Sequence, residues 1–474
     1  MITSTAARPD DPLLVQIADY VAAPVAFSAN AYATARCSLL DSIACAIEAV
    51  RHRDCLSLLG PHVPGTVVPN GSRVPGTSHR LDPVKAAFDT GTAIRWLDYN
   101  DSWFALEAGH PSDNLGAILA VADHLGQGPQ PELDVKSVLD ALIKAYEIQC
   151  VLTLENSFLA HGLDATVLLA VASAAVATQL LGGTKQQIVA AVSNAWLDGA
   201  NPRAYRLGAN TGPRKSWASG DATARGVRHA LFALRGEPGY PAALSAPKYG
   251  FVDSIMRGKP IVAPRPFGSY IIENILFKVP FPTEFHAQTA SECAARLHPM
   301  VKGRLDEIKA IRIRTHMRTI HTIDKKGPLR NAADRDHCLQ YILAVVLKRG
   351  KITSEDYEDD AARDPQLDRL REKMSVAEDE SFTRDFYDPE KRANPNAIQA
   401  EFNDGSRLPE VRVDFPLGHP RRRAEGLPLV VEKFRHAVGA AFPGRRSERI
   451  LEAVAEPGAF EAMRLRSFMD LLAR

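Results

Sequence analysis

Between residues 95 and 116 the chain reads RWLDYNDSWFALEAGHPSDNLG, and Asp98, Asn100, Asp101, Ser102, Trp103, His110, Ser112 and Asp113 fall within sixteen positions. A His on a loop ahead of an apolar helix, with carboxylates close in sequence, suits general acid/base work. Imidazole exchanges protons near neutrality, and a carboxylate can orient it. The same pattern also fits a capped helix with a hydrogen-bonded core His. A second group, NPRAYRLGANTGPRKSWASGDA, places Arg203, Arg206, Arg214 and Lys215 within thirteen residues beside Tyr205 and Trp217, with no acid from Asn201 to Gly220. Uncompensated cations on such a loop suit a receptor for carboxylates or phosphates, or else form a solvated basic loop. A third run, ENILFKVPFPTEFHAQTA, sets Lys278 and His286 among apolar and Pro residues. A fourth, GPLRNAADRDHCLQY, carries Asp334, Arg335, Asp336, His337 and Tyr341, and reads equally as a helix start with a charge network. Together the four groups supply acids, bases and cations without a nucleophile elbow, a Gly-rich phosphate loop or a metal-spaced cluster. The chemistry they suit is proton transfer on a multiply anionic acid.

The elements that must hold these groups change character along the chain. Up to about residue 265, segments such as ANAYATARCSLLDSIACAIEAV and VKSVLDALIKAYEIQCVLTLENSF repeat apolar residues at three and four spacing. That predicts a helical bundle and excludes the β-α rhythm of a nucleotide-binding fold. After the Pro-rich IVAPRPFGSY, the run LDEIKAIRIRTHMRTIHTI alternates with period two, and NAIQAEFNDGSRLPEVRVDFP reads as two strands around an Asp-Gly turn. The expected fold class is therefore mainly α with a smaller α+β domain over 271–416. The helical domain spans 1–270, with the helices of 417–474 either completing it or capping the smaller domain.

Composition narrows the function classes. The 474 residues carry 57 Lys+Arg against 56 Asp+Glu, a net charge of +1, with 45% hydrophobic and 24% charged residues. That is an ordinary globular balance without a basic field for nucleic acid. Residues 354–392 hold fourteen acids against seven bases and read as solvated helix faces. The uncharged run from Ala165 to Thr184 is long enough to span a bilayer, but it is rich in Ala, Ser and Thr. It reads as a buried central helix. Six scattered Cys with no C-x-x-C pair and no leader-like amino terminus predict a cytoplasmic protein with no metal and no cofactor.

DYNDSW at 98–103, GHPSDNLG at 109–116, TGPRKSWA at 211–218, FPTEFHAQTA at 281–290 and ADRDHCLQY at 333–341 together resemble the MmgE/PrpD family. The resemblance runs from about residue 90 to GHPRRR at 418–423. It implies an all-helical domain made from both chain ends and an inserted α+β lid, with a homodimeric assembly. It further implies elimination of water from 2-methylcitrate to give 2-methyl-cis-aconitate in propionate breakdown, without an iron-sulfur cluster. Citrate, which lacks one methyl but presents the same three carboxylates, is expected as a second substrate. The family's pocket carries over to Asp98, Ser102, His110, Lys215, Lys278 and Tyr341, with Ser102 standing where Thr is common. A second pocket His is expected after Gly162-Leu-Asp, where this chain has Ala165, with His161 four residues earlier.

On this reading Lys215, Lys278, Arg206 and Arg214 grip a tricarboxylate, a small molecule being the only partner besides a second copy, and His286 adds a further binding group. His110, oriented by Asp98, is the base, with Tyr341 or Ser102 near the leaving hydroxyl. A decarboxylase acting on cis-aconitate, a dehydratase of another hydroxy polycarboxylate and a non-enzymatic helical binding protein remain as alternatives.

Overall fold

Helix starts are written locally. Ser28 accepts the Ala31 N–H at 3.0 Å, Asp82 accepts from Val84 and Lys85 just ahead of Pro83, Asp134 accepts from Ser137, and Thr184 forms a capping box with Gln187. Each cap satisfies amide donors that the first helical turn leaves open. The computed structural model describes residues 9–129, 132–206 and 211–474. Residues 1–8, which carry most of the leader reading, and 207–210 of the expected receptor loop lie outside the described residues.

The helical domain is built around Thr166–Leu180, whose residues 166–178 are all buried between the helices Val135–Val151, Lys185–Leu197 and Arg214–Leu234. No described helix is long and apolar enough to cross a membrane. The two helices that carry Arg95 and Lys215, and the one that follows His110, touch backbone to backbone. A Cβ on Gly220 would lie 2.3 Å from Thr92 Oγ1 and 2.4 Å from the Phe88 carbonyl, and one on Gly116 would lie 2.9 Å from Gly91 Cα. Only glycine permits that approach, which locks Pro83–Trp96, Leu115–Gln127 and Arg214–Leu234 together.

The chain end returns to this domain. The helix Arg423–Ala441 packs on Ala29–Ala49, and Val430, Phe434, Val438, Leu465, Phe468 and Leu472 join the first core. The expected boundary at 270 falls too early. Ile271, Ile272, Ile275, Phe277 and Val279 also pack in the helical core, and the second core begins at Phe281. The Pro-rich stretch marks a change of composition, whereas burial of these apolar residues decides which domain owns them.

The second core lies under a four-stranded sheet. Its central strand, Ile308–Thr315, runs parallel to Met374–Glu378 and antiparallel to Asn396–Phe402, which in turn pairs antiparallel with Val411–Val413. Ile308, Ile311, Ile313 and Thr315 point inward, towards a core shared with the helices Gln288–Val301 and Leu339–Arg349. The period-two run was expected to continue further, but the strand stops at Thr315. Residues Met317–Ile323 form a short helix after His316, whose ring is buried against Asn394 and Thr319. The acidic stretch read as helix faces holds the strand Met374–Glu378, whose residues are at most half-buried and so show no clear alternation.

Candidate active site

The helix Pro83–Trp96 ends at Leu97, and Asp98 turns into the left-handed region at φ 49°. Asp is among the few side chains that tolerate this conformation. The turn folds its carboxylate back on the helix it has just left, so that Arg95 Nη1 lies 2.7 Å from Asp98 Oδ1. Lys278 reaches the same carboxylate from an extended segment held in place by its neighbours. Leu276 exchanges backbone hydrogen bonds with Ser102 at 2.8 and 3.1 Å, and Phe277 N–H donates to Gly418, where any Cβ would strike the Phe277 carbonyl. The Lys278 ammonium donates both to the Asp98 carboxylate and, at 2.6 Å, to its carbonyl. From the first turn of Arg214–Leu234, Lys215 stands 3.7 Å from Asp98 Oδ2 and donates to Asp336 Oδ2 at 2.6 Å.

His110 follows the hairpin of Trp103–Phe104 and Ala108–Gly109. Its Nδ1 lies 2.8 Å from the Asp101 carbonyl, which assigns the proton to Nδ1, and Nε2 accepts from Arg95 Nη2 at 2.9 Å. Ser102 Oγ is 3.3 Å from Nδ1. The expected orientation of His110 by Asp98 is therefore corrected. Asp101, through its backbone, and Arg95 fix the ring, and Asp98 makes no hydrogen bond to it, acting through Arg95 and as a nearby charge.

Burial, then the charges of Arg95 and Lys278, hold the His110 pKa well below its ordinary value, so the ring is neutral. Burial alone would raise the Asp98 carboxyl, but Arg95, Lys278 and Lys215 together hold it well below the usual carboxylate range. Asp336 is likewise lowered against its burial by Lys215 and His337. Burial pushes Asp101, which accepts from Tyr146, up to about 7.

The other expected residues divide. Arg206 binds Asp164 at 2.5 Å, with Arg203 at 3.4 Å on the same carboxylate, close enough that Arg95 and Asp113 feel its charge. Asp164 precedes Ala165, the buried position where the second His was expected, and His161 keeps an Nδ1 with no partner among the described residues. Arg214 is exposed and stacks on Trp217 and Tyr205 at 4.2 and 5.2 Å, outside the Asp98 cluster. His286 is buried among Phe104, Phe285, His316 and Phe386, with centroids 5.2 to 6.1 Å away, and feels Lys278 and Asp98 only as distant charges.

Tyr341 is a further correction. Its hydroxyl donates to the Asp356 carbonyl at 2.6 Å inside the second core, so it does not face the cluster. Asp336 and His337 stand there instead, with His337 Nδ1 bonded to Asp336 and Nε2 3.7 Å from Asp98 Oδ2. Arg95 is not among the expected residues, since a basic residue late in a helix is ordinary and its pairing depends on the turn at Asp98.

Asp98, Asp336 and His337 are the one trio among the described residues with metal-like spacing, their ligand atoms lying within 4.8 Å. Arg95, Lys215 and Lys278 already occupy those carboxylates, so a dication would meet three cations, and the donor set fits a metal poorly. What the arrangement offers is excess positive charge beside a neutral imidazole.

Models of known families match the chain in two consecutive blocks. Residues 15–263 match the MmgE/PrpD N-terminal domain and residues 281–456 the MmgE/PrpD C-terminal domain. The chain is 52% identical to the 2-methylcitrate dehydratase of Cupriavidus necator over 99% of both chains, and 52% identical to that of Escherichia coli K12 over 98% of both. It is 48% identical to the mitochondrial 2-methylcitrate dehydratase of Yarrowia lipolytica over 94% of this chain and 88% of the relative. With both domains matched in order and half of all residues shared end to end, the chain belongs to the MmgE/PrpD family.

Proposed function

We propose that this chain is a 2-methylcitrate dehydratase, a hydro-lyase that converts 2-methylcitrate to 2-methyl-cis-aconitate and water in propionate breakdown. The activity named for its end-to-end relatives supports the reading. The observation that carries it is the convergence of three buried cations, Arg95, Lys215 and Lys278, on Asp98 beside a neutral His110.

Dehydration begins with loss of a proton from a carbon next to a carboxylate, which spreads further negative charge over a substrate that is already a trianion. Cations fixed in a water-poor site stabilise that charge without having to reorganise. Lys215, Lys278, Arg95 and the Arg203/Arg206 pair, only half neutralised by Asp164, supply them. His110 Nε2 is the basic nitrogen, because Nδ1 already donates to Asp101. Arg95 covers Nε2. A substrate carboxylate that draws Arg95 away uncovers it, and the incoming negative charge raises the basicity that burial had suppressed.

Proton NMR of the purified protein with 2-methylcitrate, citrate and cis-aconitate tests the function. Appearance of 2-methyl-cis-aconitate supports it, release of CO2 from cis-aconitate would replace it with a decarboxylase, and no turnover would leave a binding protein. His110→Ala is expected to fold normally and to lower kcat by about 100-fold, the usual scale for a positioned acid or base. A loss of tenfold or less would remove it from the mechanism.

The six free cysteines favour a cytoplasmic setting, and exposed apolar residues such as Val63 and Val67 favour a homodimer that covers them. Light scattering of the purified chain measures the second.

A further inference from the structure

Removing water needs two proton transfers. His110 accounts for one, and the residues expected to supply the other do not stand where they would have to. Tyr341 is turned into the second core, and Ser102 lies against Nδ1 of His110, on the ring edge away from Nε2. A second imidazole enters from the opposite domain. His337 follows the short helix Ala332–Arg335, which is held by the Asn331 cap and by Arg335, whose guanidinium donates to the Tyr357 carbonyl and to Asp359, each at 2.6 Å. His337 Nδ1 bonds to Asp336 Oδ1, while Lys215 donates to Asp336 Oδ2 at 2.6 Å and lies 3.3 Å from the same Nδ1. Nε2 makes no hydrogen bond among the described residues and points to within 3.7 Å of Asp98 Oδ2. The ring is 19% exposed, so a ligand can reach it. His110 approaches Asp98 from the other side, through Arg95 on Oδ1. Two imidazoles, each with one nitrogen fixed by an acceptor, therefore flank a single point where three cations meet.

We propose that His337, brought to the site by the inserted domain and aligned by Asp336, is a second catalytic residue that protonates the departing hydroxyl. This rests on the dehydratase reading. In the step, His110 Nε2 takes the carbon-bound proton, and the C–H electron pair becomes the new C=C bond. The C–O bond breaks, and its oxygen takes a proton from Nε2 of doubly protonated His337 and leaves as water. The cycle closes when solvent removes the proton from His110 and returns one to His337. Asp336 is the positioning residue: its carboxylate on Nδ1 aims Nε2 at the substrate. Because His337 belongs to the inserted domain and His110 to the helical domain, acid and base are in place together only when the two domains meet over the substrate.

The leaving group decides the matter. Hydroxide needs a proton to depart, whereas fluoride does not. His337→Gln keeps a polar side chain of similar reach beside Asp336. It is expected to lower kcat for 2-methylcitrate by about 100-fold with little change in KM. On the analogue carrying fluorine in place of the hydroxyl, its loss is expected to be less than tenfold. His110→Ala, by contrast, is expected to lose activity on both. Equal losses of His337→Gln on the two substrates, or a change confined to KM, would make His337 a domain contact and overturn the proposal. His337→Ala gives a second route, with added imidazole expected to restore part of its activity. Absence of rescue together with equal losses would also overturn it. If the unmodified protein fails to dehydrate 2-methylcitrate, the functional reading itself falls. If the protein turns over and His337→Gln matches it, this proposal alone falls.

Discussion

Asp98 and Glu401 each face three basic side chains. Asp98 meets Arg95, Lys278 and Lys215 where the domains join, and Glu401 meets Lys309, Arg312 and Arg407 at 2.7 to 3.1 Å on the sheet of the inserted domain. Asp336 shares Lys215 with Asp98, which leaves one cation in excess there against two at Glu401, but the surroundings differ far more. The cations around Asp98 are 1 to 3% exposed, whereas those around Glu401 are 46 to 60% exposed. Water and salt can neutralise the excess charge at Glu401, so that cluster costs the fold little and signifies little. At Asp98 the cations are buried, and burying unpaired charge is expensive. A folded chain keeps such an excess where a ligand repays it, which is why the buried cluster reads as a site and the exposed one as a surface.

Asp98→Asn should break this contrast most severely. Asn tolerates the positive φ, so the backbone can stay in place while the anion disappears beneath its cations. The expected cost in denaturant unfolding is about 3–5 kcal/mol, the scale for a buried charge left without its partner. Added citrate should return more stability to the variant than to the unmodified protein, because its carboxylates replace the missing charge. The pH dependence has a definite sign. The folded state depresses the Asp98 pKa, so its contribution is fully present above the ordinary carboxylate pKa and is lost as pH falls toward the depressed value. A cost below about 1 kcal/mol would mean that water screens the cations around Asp98 as it does those around Glu401.

Gly220→Ala sharpens the comparison without touching a charge. The new methyl would strike Thr92 and the Phe88 carbonyl, forcing apart the helices that carry Arg95 and Lys215. Overpacking of this kind costs about 1–3 kcal/mol, and the displaced Lys215 should also lower kcat/KM. Gly439→Ala, in a helix where a Cβ meets nothing within 4 Å, serves as the control and should be neutral or slightly stabilising. If the two behave alike in thermal melts, the close helix contacts do not set the geometry of the site.

The sequence disclosed those parts of the site whose members lie near one another along the chain. Asp98, Ser102 and His110 share one polar run, and Lys215 and Lys278 stand out as cations in neutral or apolar company. Arg95 was hidden because a basic residue late in a helix is ordinary, and only the left-handed turn at Asp98 brings the pair together. Tyr341 and His337 could not be separated by spacing. Four residues apart, they would share a face of one continuous helix, but the chain breaks after Arg335 and starts a new helix at Leu339, sending His337 to the site and Tyr341 to the core. The bundle was legible from its periodicity. The strand Met374–Glu378 was not, because an exposed edge among acids has no apolar alternation to read. Ile271–Val279 packs in the helical core although composition changes earlier, at the Pro-rich stretch, because packing changes only at residue 281.

The smallest effect is expected at Glu401. Glu401→Gln removes the anion from three exposed cations, which then turn to water. The melting temperature should move by about 1–2 °C at low salt and less at 0.5 M salt, where screening already does most of what Glu401 does. Dehydratase activity should not change, since no residue of the Asp98 cluster touches this face. Its hydrogen bonds to Arg312 and Lys309 lower the Glu401 pKa to about 2, so the small stability difference from the variant should persist at neutral pH. It should then close as acid carries the pH below about 4.3, the ordinary Glu value, toward about 2. Asp98→Asn should respond to ligand and hardly to salt, and Glu401→Gln to salt and not to ligand. If Glu401→Gln were instead rescued by citrate, or Asp98→Asn by salt alone, burial would not be what separates the two clusters.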